Sequence, residues 1–167
     1  MMLRILFFIL GFNLVCFAGE CPEISGQYKH CGLVPSHQEH LVGGDADPLL
    51  TLVSDVYFFA KVDETIFWTA TSGDLTLEQV LTLDGKTIET SKPFGEFTEV
   101  TRQTSSCENG KIFYRVHVAY EREGVLEYYF ATNSQFFLDK KGRLVHRYEN
   151  ENYGDPKHIY ELCDKLQ

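Results

Sequence analysis

Asn109-Gly110-Lys111-Ile112-Phe113-Tyr114-Arg115-Val116-His117-Val118-Ala119-Tyr120-Glu121-Arg122-Glu123-Gly124 is the stretch that decides the fold. Asn-Gly opens it and Glu-Gly closes it, and such dipeptides tolerate the positive φ of a tight hairpin turn. Between them Ile112, Tyr114, Val116, Val118 and Tyr120 share one side of a period-two run, with Lys111, Arg115, His117 and Glu121 on the other. That alternation belongs to a strand with one face on a core and one on water or a polar interior. Phe113 breaks the pattern and reads as facing either a ligand space or, the simpler account, a neighbouring loop.

The same grammar runs outward in both directions. Residues 98–107 precede Asn109-Gly110, and residues 125–132 follow Glu123-Gly124. Lys141-Gly142 separates 135–138 from 143–149. Upstream, Leu75, Leu77, Leu81 and Leu83 share a face opposite Thr76, Glu78 and Thr82, and Asp84-Gly85 turns the chain into 86–90. Residues 49–61 and 65–71 are β-branched and aromatic, and Ser72-Gly73-Asp74 ends the second run. The tail reads as a short helix, with Asp155 as N-cap, Pro156 at the first helical position, and Ile159, Leu162, Cys163 and Leu166 on one face. Residues 32–48 read as a long loop. The expected fold class is all-β: an antiparallel up-and-down meander of about 8–10 strands, since sequential hairpins need no long crossovers. Closure into a barrel removes the exposed edges of so many strands; a two-sheet sandwich is the other arrangement.

The N-terminus bears on compartment. Arg4 precedes an apolar run from Ile5 to Phe17, broken only by Gly11 and Asn13, and Cys16-Phe17-Ala18 supplies small residues for cleavage. Residues 1–18 are therefore expected to be a signal peptide, too short in its apolar part for a comfortable span, leaving 19–167 as a single β-barrel domain. No later apolar segment is long enough to cross a bilayer, so no membrane span is expected in the mature chain. The 167 residues carry 15 basic and 24 acidic side chains, a formal charge of −9. Without a basic stripe, such a surface repels phosphate backbones and excludes nucleic acid as a partner. Cys21, Cys31, Cys107 and Cys163 remain after the signal, an even number in an exported chain, and are expected as two disulfides. Of the three possible pairings, a local Cys21–Cys31 loop with a long Cys107–Cys163 tie is the favoured one. A zinc site would lack any Cys-x-x-Cys pair. Exported residence, periplasmic or secreted, is the expectation.

Cys21-Pro22-Glu23-Ile24-Ser25-Gly26-Gln27-Tyr28-Lys29-His30-Cys31 resembles the opening of lipocalin-type barrels, where glycine, any residue, then an aromatic begins the first strand. Tyr28 stands where those proteins carry tryptophan. Small exported bacterial proteins that open Cys-Pro-x-x-x-Gly-x-Tyr look similar. The resemblance implies a lipocalin-like barrel, an aromatic plug at its floor and a cavity for an apolar ligand at its open end.

Motifs for chemistry are sparse. His37, Glu39 and His40, with His30, Asp45 and Asp47 nearby, hold metal-binding atoms, but the metalloprotease pattern needs another order and a helix, and a solvated loop explains them. Glu78, Glu89, Glu96 and Glu99 are scattered over strands with nothing to make two converge. Arg115 and His117 are the ionisable pair able to face an interior. No nucleophile elbow or glycine-rich phosphate loop occurs, and no cofactor is implied. The aromatics carry more. Trp68, Tyr114, Tyr128 and Phe130 are the candidates to line a ligand space, while Phe58, Tyr129 and Phe137 are candidates for an outward patch. Two readings follow: a soluble module binding a small apolar ligand inside the barrel, or a non-enzymatic interaction protein with a filled barrel and a protein partner. An enzyme would need ionisable side chains converging in a cleft.

Overall fold

A computed structural model describes residues 21–42, 49–52, 56–151 and 158–166. The proposed signal peptide, Asp45 and Asp47, and the proposed helix cap at Asp155 and Pro156 all lie outside these residues. The strands are β1 (Gly26–Leu33), β2 (Leu49–Leu52), β3 (Val56–Val62), β4 (Thr65–Ser72), β5 (Leu75–Thr82), β6 (Asp84–Phe94), β7 (Phe97–Glu108), β8 (Lys111–Arg122), β9 (Val125–Leu138), β10 (Leu144–Asn150) and β11 (His158–Lys165). All pairings are antiparallel. The order is β5-β4-β3-β1-β11-β10-β9-β8-β7-β6, with short β2 attached to β1. This is an up-and-down meander that folds into a nearly closed barrel, because the last strand returns to pair with the first. Among the described residues no helix is long and apolar enough to cross a membrane.

The hairpins follow the turn chemistry. Asn109 and Gly110 have φ of 51° and 71°, and Glu123 and Gly124 have φ of 52° and 79°, so both dipeptides take the left-handed pair that matches strand twist. The β9–β10 turn is organised by a buried carboxylate. Asp139 Oδ1 accepts the N–H groups of Lys141 and Arg143 at 2.9 Å each, and its Oδ2 accepts Arg143 Nε at 2.7 Å.

Four expectations are corrected. Residues 125–132 and 135–138 form one strand, β9, because Asn133 and Ser134 are paired on both sides, to Arg115 and Glu149 and to Tyr114 and Tyr148. The Asp84-Gly85 turn joins β5 and β6 without pairing them. The carbonyl of Thr82 takes the Ser105 hydroxyl at 2.9 Å and the Leu83 N–H donates to the Glu64 carbonyl at 2.8 Å, so the groups that would begin a β5–β6 ladder are used elsewhere. That junction is the seam of the barrel. The tail is not a helix but β11, pairing with β1 and β10 at once; long-range hydrogen bonding on both edges overrides the local capping signal. The loop read over 32–48 begins inside β1 and includes a short 3₁₀ turn, Ser36–Leu41.

The disulfide pairing is also corrected: Cys21 bonds Cys107, and Cys31 bonds Cys163. The cause is a β-bulge in β1. The register shifts between Lys29 and Gly32, and His30 takes a left-handed φ of 54°. The extra residue brings Cys31 onto the face already held by Tyr28, and both are fully buried in one cluster opposite β11. Cys31 thereby meets Cys163 rather than the chain before the strand. Two disulfides mark a chain that matures in an oxidising compartment outside the cytoplasm.

The barrel is filled at the end where β1 begins. Ile24, Tyr28, Phe59, Ile66, Leu81, Ile112, Phe136 and Leu144 are each at most 1% exposed there. Burial of such side chains contributes about 1.5–3 kcal/mol apiece. Outside, Val34 and Val42 flank the 3₁₀ turn and pack with Val145, Leu162, Phe137 and Tyr160, covering the outer faces of β9, β10 and β11. Leu75 and Leu77 are exposed, since only the Leu81 end of β5 reaches the core.

Candidate functional site

Above the filled end, four polar side chains enter the interior from four strands. His146 on β10 stands directly across from Glu161 on β11 and from Phe136 on β9. Ser134 lies two residues before Phe136 and so shares its face. Tyr57 reaches in from β3, on the far side of β1 from β11. The Tyr57 hydroxyl donates to Glu161 Oε2 at 2.5 Å and lies 3.2 Å from His146 Nδ1. His146 Nδ1 is 3.4 Å from the same Oε2, and its Nε2 is 3.2 Å from Ser134 Oγ. With its proton on Nδ1, a neutral His146 ring donates toward Tyr57 and Glu161 and accepts from Ser134, which satisfies both nitrogens. Aromatic rings hold the imidazole in place: Phe136 stacks on it at 4.5 Å, with Tyr57 and Trp68 edge-on at 5.8 and 6.3 Å.

Next to this network is a pocket of about 270 Å³, lined by Leu33, Tyr57, His146, Tyr148, Ile159 and Glu161. Its wall is mostly apolar and its polar groups sit together on one side. Glu161 Oε1 is buried without a hydrogen-bond partner among the described residues. Leaving such an acceptor unsatisfied costs about 1–3 kcal/mol, more if it is charged. The Glu161 carboxylate also lies within 4.8 Å of the Cys31 and Cys163 sulfurs. Those sulfurs are joined to each other, so the group does not form a set of metal ligands.

Ser134, His146 and Glu161 have the hydrogen-bond order of a nucleophile, base and carboxylate. Two features argue against reading them so. Ser134 sits within a strand paired on both sides, away from any loop of free N–H donors for an oxyanion, and it does not line the pocket.

The four ligand candidates named from sequence do not gather around one space. Trp68 and Tyr114 are buried and meet edge-to-face at 6.0 Å within the packed interior. The Tyr114 hydroxyl donates to Gln79 Oε1 at 3.0 Å, and burial pushes its pKa up to about 12. Tyr128 and Phe130 lie on the part of β9 beyond its last pair with β10, Thr132–Asn150, where β6 to β9 run on as a projecting sheet. Tyr128 stacks on Tyr120 at 4.6 Å and is half exposed. Of the outward candidates, Phe58 and Tyr129 are exposed, whereas Phe137 is partly covered by the segment around Val42.

The other candidates also resolve. Arg115 and His117 point away from the interior, Arg115 pairing with Glu151 at 2.9 Å and His117 stacking on Tyr129. Glu89, Glu96 and Glu99 each face a separate cation, Arg102, Arg122 and Lys92, and do not converge. His30 lies 3.9 Å from exposed Asp164. Sequence reasoning missed Tyr57, His146 and Glu161. Their signal is present as polar residues on the inward register of strands otherwise facing the core, but a helical reading of the tail gives Glu161 no such register.

No family model matches this sequence, and no curated protein matches it significantly.

Proposed function

We propose that this chain is an exported binding module, periplasmic or secreted, that holds one small, largely apolar molecule in the pocket at the open end of its barrel. The observation that carries this reading is the pocket itself: apolar walls from Leu33, Tyr148 and Ile159, with Tyr57, His146 and Glu161 grouped on one side. That combination of greasy surface and a few convergent polar groups is how proteins hold small ligands. It also agrees with the lipocalin-like plan, although the polar corner and not an aromatic cage supplies the orientation. The volume is slightly below the roughly 300–1,000 Å³ of sites that bury drug-sized ligands, so the occupant is a single ring or a short chain.

The chain has one tryptophan, Trp68, with ring centroids 6.4 Å from Tyr57 and 6.3 Å from His146. Its fluorescence therefore reports on the pocket. Titration with small aromatic hydrocarbons should change that fluorescence saturably, and Ile159→Trp, read by calorimetry, should block binding by filling the space. Binding that survives Ile159→Trp undiminished would place the ligand elsewhere.

A second reading is favoured by the outer surface. Phe58, Phe67 and Val80 are exposed on three successive strands, and Phe67 pairs directly with Val80. An interaction protein would use this patch. Phe58→Ser with Phe67→Ser should then change association state in sedimentation while leaving ligand binding intact.

A further inference from the structure

Independently of what the pocket holds, we infer that two copies of this chain associate through one face of the sheet that β6 to β9 project beyond the barrel. That face continues the row of Ile112 and Tyr114 through Val118 to Tyr120, and one of its rungs reads Lys92, Glu99, Tyr120, Tyr128 straight across four strands. Phe94 meets Tyr120 edge-on at 5.3 Å, Tyr128 stacks on Tyr120 at 4.6 Å, and Phe97 meets Tyr128 at 6.1 Å, so the rings form one continuous surface. Phe94, Tyr128 and Ile88 nevertheless stay about half exposed. Among the described residues no second layer covers them: every residue of β6 is exposed, as are Val125 to Tyr129 of β9. A sheet with an apolar face is stable when another layer packs on it.

Three features fit that layer to a second copy. The charges on the face are already paired. Lys92 lies 3.0 Å from Glu99, which also accepts the Tyr120 hydroxyl at 3.1 Å, and Arg122 pairs with Glu96 at 2.9 Å while lying over the Phe97 ring. A chain of formal charge −9 repels its own copies over most of its surface, and a neutralised face is where that repulsion is least. The face also matches itself. One rung nearer the barrel, Thr90, Thr101 and Val118 replace the aromatic row. A two-fold axis across the strands sets the large rings of each copy against this smaller rung of the other. The area suffices as well. Four strands about 4.8 Å apart, over about seven residues at about 3.3 Å each, give a face near 450 Å², so two copies bury on the order of 1,000 Å², the lower bound for a specific interface.

Sedimentation equilibrium of the disulfide-bonded protein tests this. From about 1 to 200 μM the wild type should show a monomer–dimer equilibrium with a Kd of roughly 1–100 μM, as a contact of this size allows. Phe94→Thr with Tyr128→Thr keeps residues that suit a strand and should weaken the dimer about tenfold or more, while the Trp68 emission spectrum reports that the barrel is still folded. A wild type that stays monomeric throughout would overturn the inference and leave this face to a different protein. So would a dimer that survives the Phe94 and Tyr128 changes but is lost in Phe58→Ser with Phe67→Ser, which would put the contact on the other patch.

Discussion

Cys31 and Cys163 stand on neighbouring strands with Cα atoms 4.1 Å apart, so one covalent bond joins the first full strand of the barrel to the last. The pairing links residues 132 apart in sequence, and the Cys21–Cys107 bond links residues 86 apart. Closing loops of this length restricts the unfolded chain far more than the local Cys21–Cys31 loop would. In the chain-entropy model each bond is worth about 4–5 kcal/mol, with native-state effects subtracting from it.

Replacement of Cys31 and Cys163 together by Ser is therefore expected to lower unfolding free energy by about 3–5 kcal/mol in urea denaturation. Peptide mapping of the unreduced protein should recover 21 linked to 107 and 31 linked to 163. A loss below about 1 kcal/mol would mean that the barrel closes without the bond.

The hairpins between β7, β8 and β9 were legible because Asn109-Gly110 and Glu123-Gly124 carry their own turn geometry, independent of anything distant. The inward row Ile112, Tyr114 and Val118 was legible for the same local reason. What could not be read depended on partners far along the chain. Asp155-Pro156 before Ile159 and Leu162 looks like a helix start until β1 and β10 are both available to pair. The bulge at His30 has no residue signature of its own, yet it decides which face Cys31 takes and so the disulfide pattern. The candidate site suffered from both: Glu161 enters the interior only if the tail is a strand, and His146 joins it only across that pairing.

Asp139 organises the β9–β10 turn through three hydrogen bonds to Lys141 and Arg143 while itself buried. Asp139→Ala should destabilise the protein by about 2–4 kcal/mol, as expected for a buried carboxylate with several charge-assisted bonds. Asp139→Asn keeps an oxygen for the two backbone N–H groups and should cost about half as much. Equal losses for both variants, measured by thermal or chemical unfolding, would assign the effect to the Arg143 ion pair alone.

Phe136 and Tyr128 lie on the same strand and the same face but in different environments. Phe136 is fully buried, between Phe59, Trp68 and His146. Tyr128 is half exposed on the projecting sheet. Phe136→Ala should cost about 3–5 kcal/mol. Tyr128→Ala should cost about 1 kcal/mol or less, chiefly its stacking on Tyr120. Comparable losses at the two positions would show that the projecting sheet folds as part of the barrel core.

Two of the buried tyrosines, Tyr28 and Tyr114, make alkaline stability a test of the packed end. Burial pushes the Tyr114 hydroxyl from the ordinary 10.0 up to about 12, and burial together with the nearby Glu23 carboxylate does the same for Tyr28. The unfolded chain ionises these groups near 10.0, whereas the folded chain keeps both protons until about 12. Their contribution is therefore whole below the unfolded value and is lost as pH rises through the folded one, by at most about 3 kcal/mol for each residue. Urea midpoints should hold up to pH 10.0 and then fall steadily toward 12. Tyr114→Phe should make that fall shallower, because one of the two titrating groups is gone. A stability that stays flat across the window would mean that both hydroxyls reach water in the folded protein, and that the end of the barrel around Tyr28 is open.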